Sequence, residues 1–297
     1  MRIDVCIATY KRPALLERLL KDLLVQQLPD GISMHIIVVD NDVEESARPV
    51  VSAFQASCLI EYLTEPEQNI SLARNRALEH SRGELIAFID DDESASPGWL
   101  RSLVAVMERH AADAVLGPVR GILPATAPRW IVKGRFFEAP ALPSGRRVEF
   151  EGGTGNALLK ASAIRGKMAF DPRYGLSGSE DTDFFHRLCR SGAVLVWCQE
   201  ALLTEYVPKE RLRMRWLLRR GFRGGQSYAD IVGRPHSVVR FSGWIAKRAV
   251  FVMAAAFLTV SCFPFSKSLA MRSAIRLAAN LGQLSTIFDR RYQEYRH

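Results

Sequence analysis

Asp90, Asp91, Asp92 and Glu93 follow directly on the apolar run Leu85-Ile86-Ala87-Phe88-Ile89, so four carboxylates crowd the point where a buried strand leaves its sheet. At that spacing they repel one another and raise one another's pKa unless a divalent cation or cationic ligand neutralises them. Mg²⁺ or Mn²⁺ bound together with a diphosphate meets that need; a solvated acidic turn capping the helix after Pro97 is the competing reading. A second acidic pair, Glu180 and Asp181, follows the glycine loop Gly175-Leu176-Ser177-Gly178-Ser179 and opens an amphipathic stretch through Leu188. Ser179 or Asp181 there suits a helix cap. A carboxylate beside a mobile loop equally suits a general base under a closing lid.

The elements that must position these groups alternate. Ile3 to Ala8, Met34 to Val39, Leu59 to Leu63, residues 85 to 89 and Ala114 to Val119 read as strands. Pro13 to Gln27, Ala47 to Gln55, Ser71 to His80 and the stretch from Pro97 read as helices. Leu15, Leu16, Leu19, Leu20, Leu23 and Leu24 give the first helix one apolar face. Such alternation predicts an α/β fold with a mostly parallel sheet flanked by helices, reached by right-handed crossovers. Ligands in such folds sit beyond the carboxyl ends of the strands. Those ends carry Thr9-Tyr10-Lys11-Arg12, Asp40-Asn41-Asp42 and the acidic run. Asn69-Ile70-Ser71-Leu72-Ala73-Arg74-Asn75 opens a helix with an arginine in its first turns, an arrangement suited to a phosphate. Gly152-Gly153-Thr154-Gly155-Asn156 reads as a tight turn feeding a short strand, where glycine permits close backbone approach.

With 297 residues, 48% of them hydrophobic and 24% charged, the chain is long enough for a full core and globular in class. Residues 1 to 203 hold 23 basic and 27 acidic side chains, whereas residues 204 to 297 hold 17 basic and 5 acidic. A basic tail suits nucleic acid, an anionic membrane or a diphosphate. The five cysteines are odd in number and lack CxxC spacing, which fits buried thiols in a reducing compartment. Arg2, Asp4, Lys11 and Arg12 interrupt any signal-peptide core, so a cytoplasmic protein is expected.

Five ordered stretches, Ile7-Ala8-Thr9-Tyr10-Lys11-Arg12-Pro13, Val39-Asp40-Asn41, Asn69 to Asn75, Phe88 to Glu93 and Gly178 to Phe184, resemble the motifs of family 2 glycosyltransferases with the GT-A fold. Leu116-Gly117-Pro118-Val119-Arg120 and Thr126-Ala127-Pro128-Arg129-Trp130 are most similar to bacterial exopolysaccharide enzymes of the succinoglycan glucosyltransferase type. The resemblance implies an inverting, metal-dependent transfer of a hexose, glucose by this likeness, from a UDP-sugar. Thr9, Tyr10 and Arg12 would then line the nucleotide pocket, Asp40 would read the base, and Arg74 would lie by the nucleotide or its diphosphate. Asp90 and Asp92 match the DxD pair, with Asp90 nearer the ribose and Asp92 on the metal, and Asp91 and Glu93 beside them. Asp181, after Glu180, matches the catalytic base, and Asp183 would support the loop or the acceptor. Enzymes of this type often place a metal-binding histidine where this chain has Thr204; Glu205 or water would replace it.

The tail separates a glycosyltransferase domain over 1–227 from a helical membrane-associating extension over 228–297. Arg211, Arg213, Arg215, Arg219, Arg220 and Arg223 flank Trp216-Leu217-Leu218, and Gly221, Gly224 and Gly225 are expected to loosen the chain. The resemblance suggests diphosphate or anionic-lipid contacts there, through Arg220 or Arg223. Ala249 to Phe265 is an uncharged run of 17 residues, at the lower limit for a spanning helix. The apolar positions from Leu269 to Leu281, interleaved with Arg272 and Arg276, suit an interfacial helix. A monotopic or re-entrant anchor on the cytoplasmic face of the inner membrane is therefore expected, ahead of a single span, a soluble subdomain or a homo-oligomer interface. The acceptor is then expected to be a polyprenyl-diphosphate-linked saccharide. Two other activities compete: a nucleotidyltransferase with two-metal phosphoryl chemistry, and a non-catalytic membrane adaptor. No reading motif supports a nucleic-acid partner.

Overall fold

Strands β1 (Arg2–Thr9), β2 (Ser33–Asp40), β3 (Ile60–Thr64) and β4 (Leu85–Ile89) form over the apolar runs, joined by helices α1 (Pro13–Leu24), α2 (Arg48–Phe54) and α3 (Ile70–His80). The computed structural model describes residues 1–149, 152–233 and 237–288. β1 pairs in parallel with β2 and β4, and β2 with β3. Ile3, Val5 and Ile7 enter one core with Leu16, Leu19, Leu20 and Leu23 of α1. Cys6, Ile37, Val39, Ile86 and Phe88 enter a second core with Ala73 and Ala77 of α3. Burial on both faces is why these strands read as continuous apolar runs. α1 has Pro13 in its first turn, where a missing N–H is harmless. It stops at Leu24 rather than Gln27, because Gln26 Nε2 donates to Ser96 O (2.8 Å) and Gln27 N donates to Pro97 O (2.7 Å).

Beyond β4 follow β5 (Glu93–Ala95), α4 (Trp99–Arg109), β6 (Ala114–Leu116), β7 (Val119–Ile122), α5 (Arg129–Gly134), β8 (Asn156–Lys160), α6 (Ala161–Ile164), α7 (Glu180–Arg190), β9 (Leu195–Trp197) and β10 (Leu203–Tyr206). The larger sheet has the order β3-β2-β1-β4-β8-β6-β9, and β8 runs antiparallel to β4 and β6. The strand expected over Ala114 to Val119 is two strands in two sheets. Pro118 has no N–H to continue a ladder, and a Cβ on Gly117 would lie 2.8 Å from Ala201 O. β7 joins β10 and β5 in a three-stranded sheet, where Thr204 pairs with Ser94 and Glu205 with Glu93.

Contacts divide the chain into two compact units. One comprises Met1–Gly121 and Ala139–Glu205; the other comprises Ile122–Glu138 and the described residues from Tyr206 on. The second unit therefore takes α8 (Met214–Tyr228) together with α9 (Val238–Cys262), α10 (Lys267–Ser285) and α5. Its core gathers Ile131, Val207, Leu212, Leu217 and Met271. Gly221, Gly224 and Gly225 do not loosen the chain: all three lie inside α8. A Cβ on Gly221 would lie 3.0 Å from Ile275 O, and one on Gly225 would overlap Ala279 O, so glycine there lets α8 and α10 approach backbone to backbone.

Candidate active site

The acidic run leaves β4 at the carboxyl edge of the larger sheet, next to the end of β1. The chain quits β1 through Lys11, whose φ of 54° is unfavourable for a residue with a Cβ. Beyond that turn Arg12 Nη1 lies 3.1 Å from both Asp91 Oδ1 and Asp92 Oδ2. Thr9 Oγ1 donates to Asp91 Oδ2 at 2.8 Å, and Arg18 Nη2 donates to Asp92 O at 2.7 Å. Burial pushes the Asp91 carboxyl up to about 6; Arg12 pulls it back, and Asp92 and Asp90 add to the rise. Glu93 is raised well above the ordinary range, first by burial and then by Asp90, with Asp92 and Glu205 adding to the rise. Glu93 Oε2 accepts from Asp90 N at 2.9 Å.

Arg74 joins this edge to the second acidic pair. Its Nη2 donates to Asp90 Oδ1 at 3.0 Å and its Nη1 to Glu180 Oε1. The Arg74 side chain is 5% exposed and that of Glu180 6%. Burial raises the Glu180 pKa, Arg74 opposes the rise, and Asp181 adds to it. Asp181 Oδ1 accepts from Thr182 N at 2.6 Å, while Asp181 Oδ2 faces Gly153, where an added Cβ would overlap it. One turn further along the glycine loop, a Cβ on Gly155 would lie 2.5 Å from Glu93 Oε1 and 3.3 Å from Asp90 Oδ2. The loop thus lies close to both carboxylate groups, and a side chain at either glycine would have to push a carboxylate aside.

Asp40 is fully buried. Its Oδ1 accepts from Asp42 N (3.1 Å), and its Oδ2 from Ala47 N (2.8 Å) and Tyr62 Oη (2.9 Å). Through these bonds it fixes the 40–47 turn. Tyr10 is half-buried, with Lys11 Nζ 5.3 Å over its ring. Asp183 is gripped by Arg187, with Nη2 2.7 Å from its Oδ2. Among the described residues, no group of three histidine, cysteine or acidic side chains is placed to hold an ion. The Asp90 side chain is 42% exposed and that of Asp92 19%. These hard oxygen donors fit Mg²⁺ or Mn²⁺, which take one or two carboxylates and fill the remaining positions with substrate phosphate and water.

Sequence reasoning missed two supports. Asn156 Oδ1 accepts from Trp99 Nε1 (2.9 Å), and its Nδ2 donates to Pro118 O (2.9 Å) and Ala201 O (2.6 Å), which anchors the glycine loop. A lone asparagine directly before an apolar run was the available signal. The second is the set of contacts from Asn69, Ser71 and Asn75 to residues 170–172, which no spacing reveals.

The family model described as "Glycosyl transferase family 2" matches residues 4–166. The chain is 37% identical over 290 residues to "Succinoglycan biosynthesis protein ExoM" of Rhizobium meliloti (strain 1021), covering 96% of this chain and 92% of that protein. The fold is similar to that of mannosyltransferase PcManGT from Pyrobaculum calidifontis, solved with GDP-Man and Mn²⁺ (TM-score 0.68, 17% identity, 97% of this chain and 88% of that one). It is also similar to S. aureus TarS 1-349 in complex with UDP (TM-score 0.57, 16% identity, 99% of this chain and 93% of that one).

Proposed function

The chain belongs to glycosyl transferase family 2, and from that premise we propose that it moves a hexose, with glucose expected, from a UDP-sugar to a lipid-linked saccharide, with inversion, during exopolysaccharide or other cell-surface polysaccharide assembly. One observation carries the reading. A single guanidinium, Arg74, grips Asp90 at the end of β4 and Glu180 at the start of α7, so the acidic run and the base loop flank one seat.

Breaking a bond from anomeric carbon to phosphate builds positive charge on the sugar and negative charge on the departing diphosphate. Asp90 and Asp92 would hold Mg²⁺ or Mn²⁺, which would supply Lewis-acid stabilisation of that diphosphate when bound. Thr9, Tyr10 and Arg12 line the nucleotide side at the end of β1, and Asp40 shapes it through the turn it fixes. Asp181 accepts the acceptor hydroxyl's proton while that oxygen attacks the sugar from the face opposite the diphosphate. A single displacement of this kind inverts the anomeric centre.

The membrane reading rests on the second unit. α9 includes Val239–Cys262, a stretch long and apolar enough to cross a membrane by length and composition, with 6% of its apolar window buried. Phe257 is 71% exposed and Phe265 89%. α10 packs against α9 and carries Arg272, Arg276 and Asn280, and Arg248 Nη1 lies 3.4 Å from Asn280 Oδ1. A spanning α9 would draw those polar groups into hydrocarbon, which is costly. α9 therefore lies in the plane of an anionic leaflet, the cytoplasmic one, with the exposed Lys247 and Lys267 meeting headgroups. There it meets a polyprenyl-diphosphate-linked acceptor. Full-length protein incubated with labelled UDP-hexoses, Mn²⁺ and native lipid extract should label a lipid-linked saccharide and release UDP. Pyrophosphate release, or no labelled lipid with any donor, overturns the reading.

A further inference from the structure

The segment Asn69–Asn75 opens α3, and its largely buried polar side chains are engaged by residues 170–180. Asn69 Nδ2 donates to Pro172 O at 3.0 Å, while its Oδ1 caps α3 by accepting from Ser71 N at 3.0 Å. Ser71 Oγ donates to Asp171 O at 2.9 Å. Asn75 Nδ2 donates to Phe170 O, and Asn75 Oδ1 accepts from Phe170 N, both at 2.8 Å. Arg74 completes the row on Glu180 and lies 5.8 Å from the Phe170 ring centroid. The Phe170 ring in turn stacks on Phe184 of α7 with centroids 4.3 Å apart. Gly175 closes over the same asparagine, since a Cβ there would overlap Asn69 Oδ1.

We propose that Asn69–Asn75 is a positioning clamp for the loop that carries the base: Asn69, Ser71 and Asn75 fix its backbone at 170–172, and Arg74 fixes its far end at Glu180, setting Asp181 at the seat beside Asp90. The proposal rests on Asp181 being the base, and it assigns these residues to orienting protein groups rather than to the nucleotide. Three of the side chains reach only backbone of the loop, a pattern that fixes chain position and leaves chemistry to the residues it presents. Arg74 is the one member that also touches the donor edge, through Asp90. Misplacing a catalytic group by about 1 Å costs on the order of 10²-fold in rate, so loosening the clamp lowers turnover while the nucleotide side stays intact.

The test uses the full-length protein with Arg74→Met, Arg74→Lys and Asn75→Ala, the last removing the two hydrogen bonds to the Phe170 backbone. Hydrogen exchange of residues 170–181, UDP affinity by calorimetry, and kcat and KM are measured for each. Expected are exchange of that loop about tenfold faster with the β1–β4 strands still protected, kcat lowered about 10- to 10²-fold, and UDP affinity within about threefold of wild type. Arg74→Lys should recover part of the loss, because it keeps a cation on Glu180. Arg74→Met combined with Glu180→Gln should be no slower than the slower single variant, as for groups acting as one unit. UDP affinity weakened tenfold or more by Arg74→Met with loop exchange unchanged overturns the proposal, as does unaltered exchange in Asn75→Ala. Should Arg74→Met fail to fold, Asn75→Ala decides alone. If wild type transfers no sugar, the functional reading fails while the exchange arm still tests the clamp.

Discussion

Asp91 gives the acidic run a measurable signature in stability. Its carboxyl is pushed up to about 6 from an ordinary 3.8, so the native chain binds this proton more tightly than the unfolded chain does. Between those values the native state holds more protons, and stability must fall as pH rises. The loss begins near pH 4 and is complete above pH 6. At 1.36 kcal/mol per pKa unit it reaches about 3 kcal/mol, equivalent to roughly 6–12 °C in melting temperature for a body of this size. Glu93, also raised, adds in the same direction. The perturbation is Asp91→Asn, which keeps an oxygen for Thr9 Oγ1 and removes the charge. Melting curves at pH 4 to 8 in EDTA should coincide for the two proteins at the acid end, with the variant the more stable above pH 6. Mn²⁺ added to wild type at pH 7.5 should recover part of the same difference. A variant whose pH slope matches wild type refutes the reasoning, because the buried carboxylate would then carry no net cost.

Asp181→Asn should lower kcat by about 10²- to 10⁴-fold with UDP affinity unchanged by calorimetry; undiminished transfer removes Asp181 from the base role. Gly153→Ala should reduce kcat on the order of tenfold or more by displacing Asp181 Oδ2, read from initial rates at saturating donor, whereas Gly224→Ala, at an exposed helical glycine with no atom near its Cβ position, should leave the rate near wild type. EDTA should abolish turnover and Mn²⁺ or Mg²⁺ restore it. Phe257→Glu with Phe265→Glu should cut flotation with anionic vesicles by about tenfold, and unchanged flotation argues that another surface meets the lipid.

Much of the first unit was legible because its strands are buried on both faces and its helices on one. Ile3 to Ile7 and the α1 leucines leave few alternatives once their periods are read. The GT-A glycosyltransferase assignment followed from five ordered motifs, whereas the partners of individual site residues did not. Asp40 and Arg74 looked like ligand groups by type and place, but hydrogen bonding to Tyr62, Ala47, Glu180 and Asp90 depends on which distant segments fold against them. The break at Gly117-Pro118 was visible in principle, since proline ends a ladder, but the short apolar run around it masked the change of sheet. In α8, glycine was read as a flexible spacer because the sequence, which shows α10 as an amphipathic stretch, gives no sign that the backbone of α10 packs against these glycines.

The central claim is that Asp181 activates an alcohol directly opposite a diphosphate held at Asp90 and Asp92. Proton NMR of the purified product from an α-linked UDP-sugar tests it most directly. A β-linked sugar formed in step with UDP release is the predicted result; an α-linked product, or pyrophosphate in place of UDP, contradicts it.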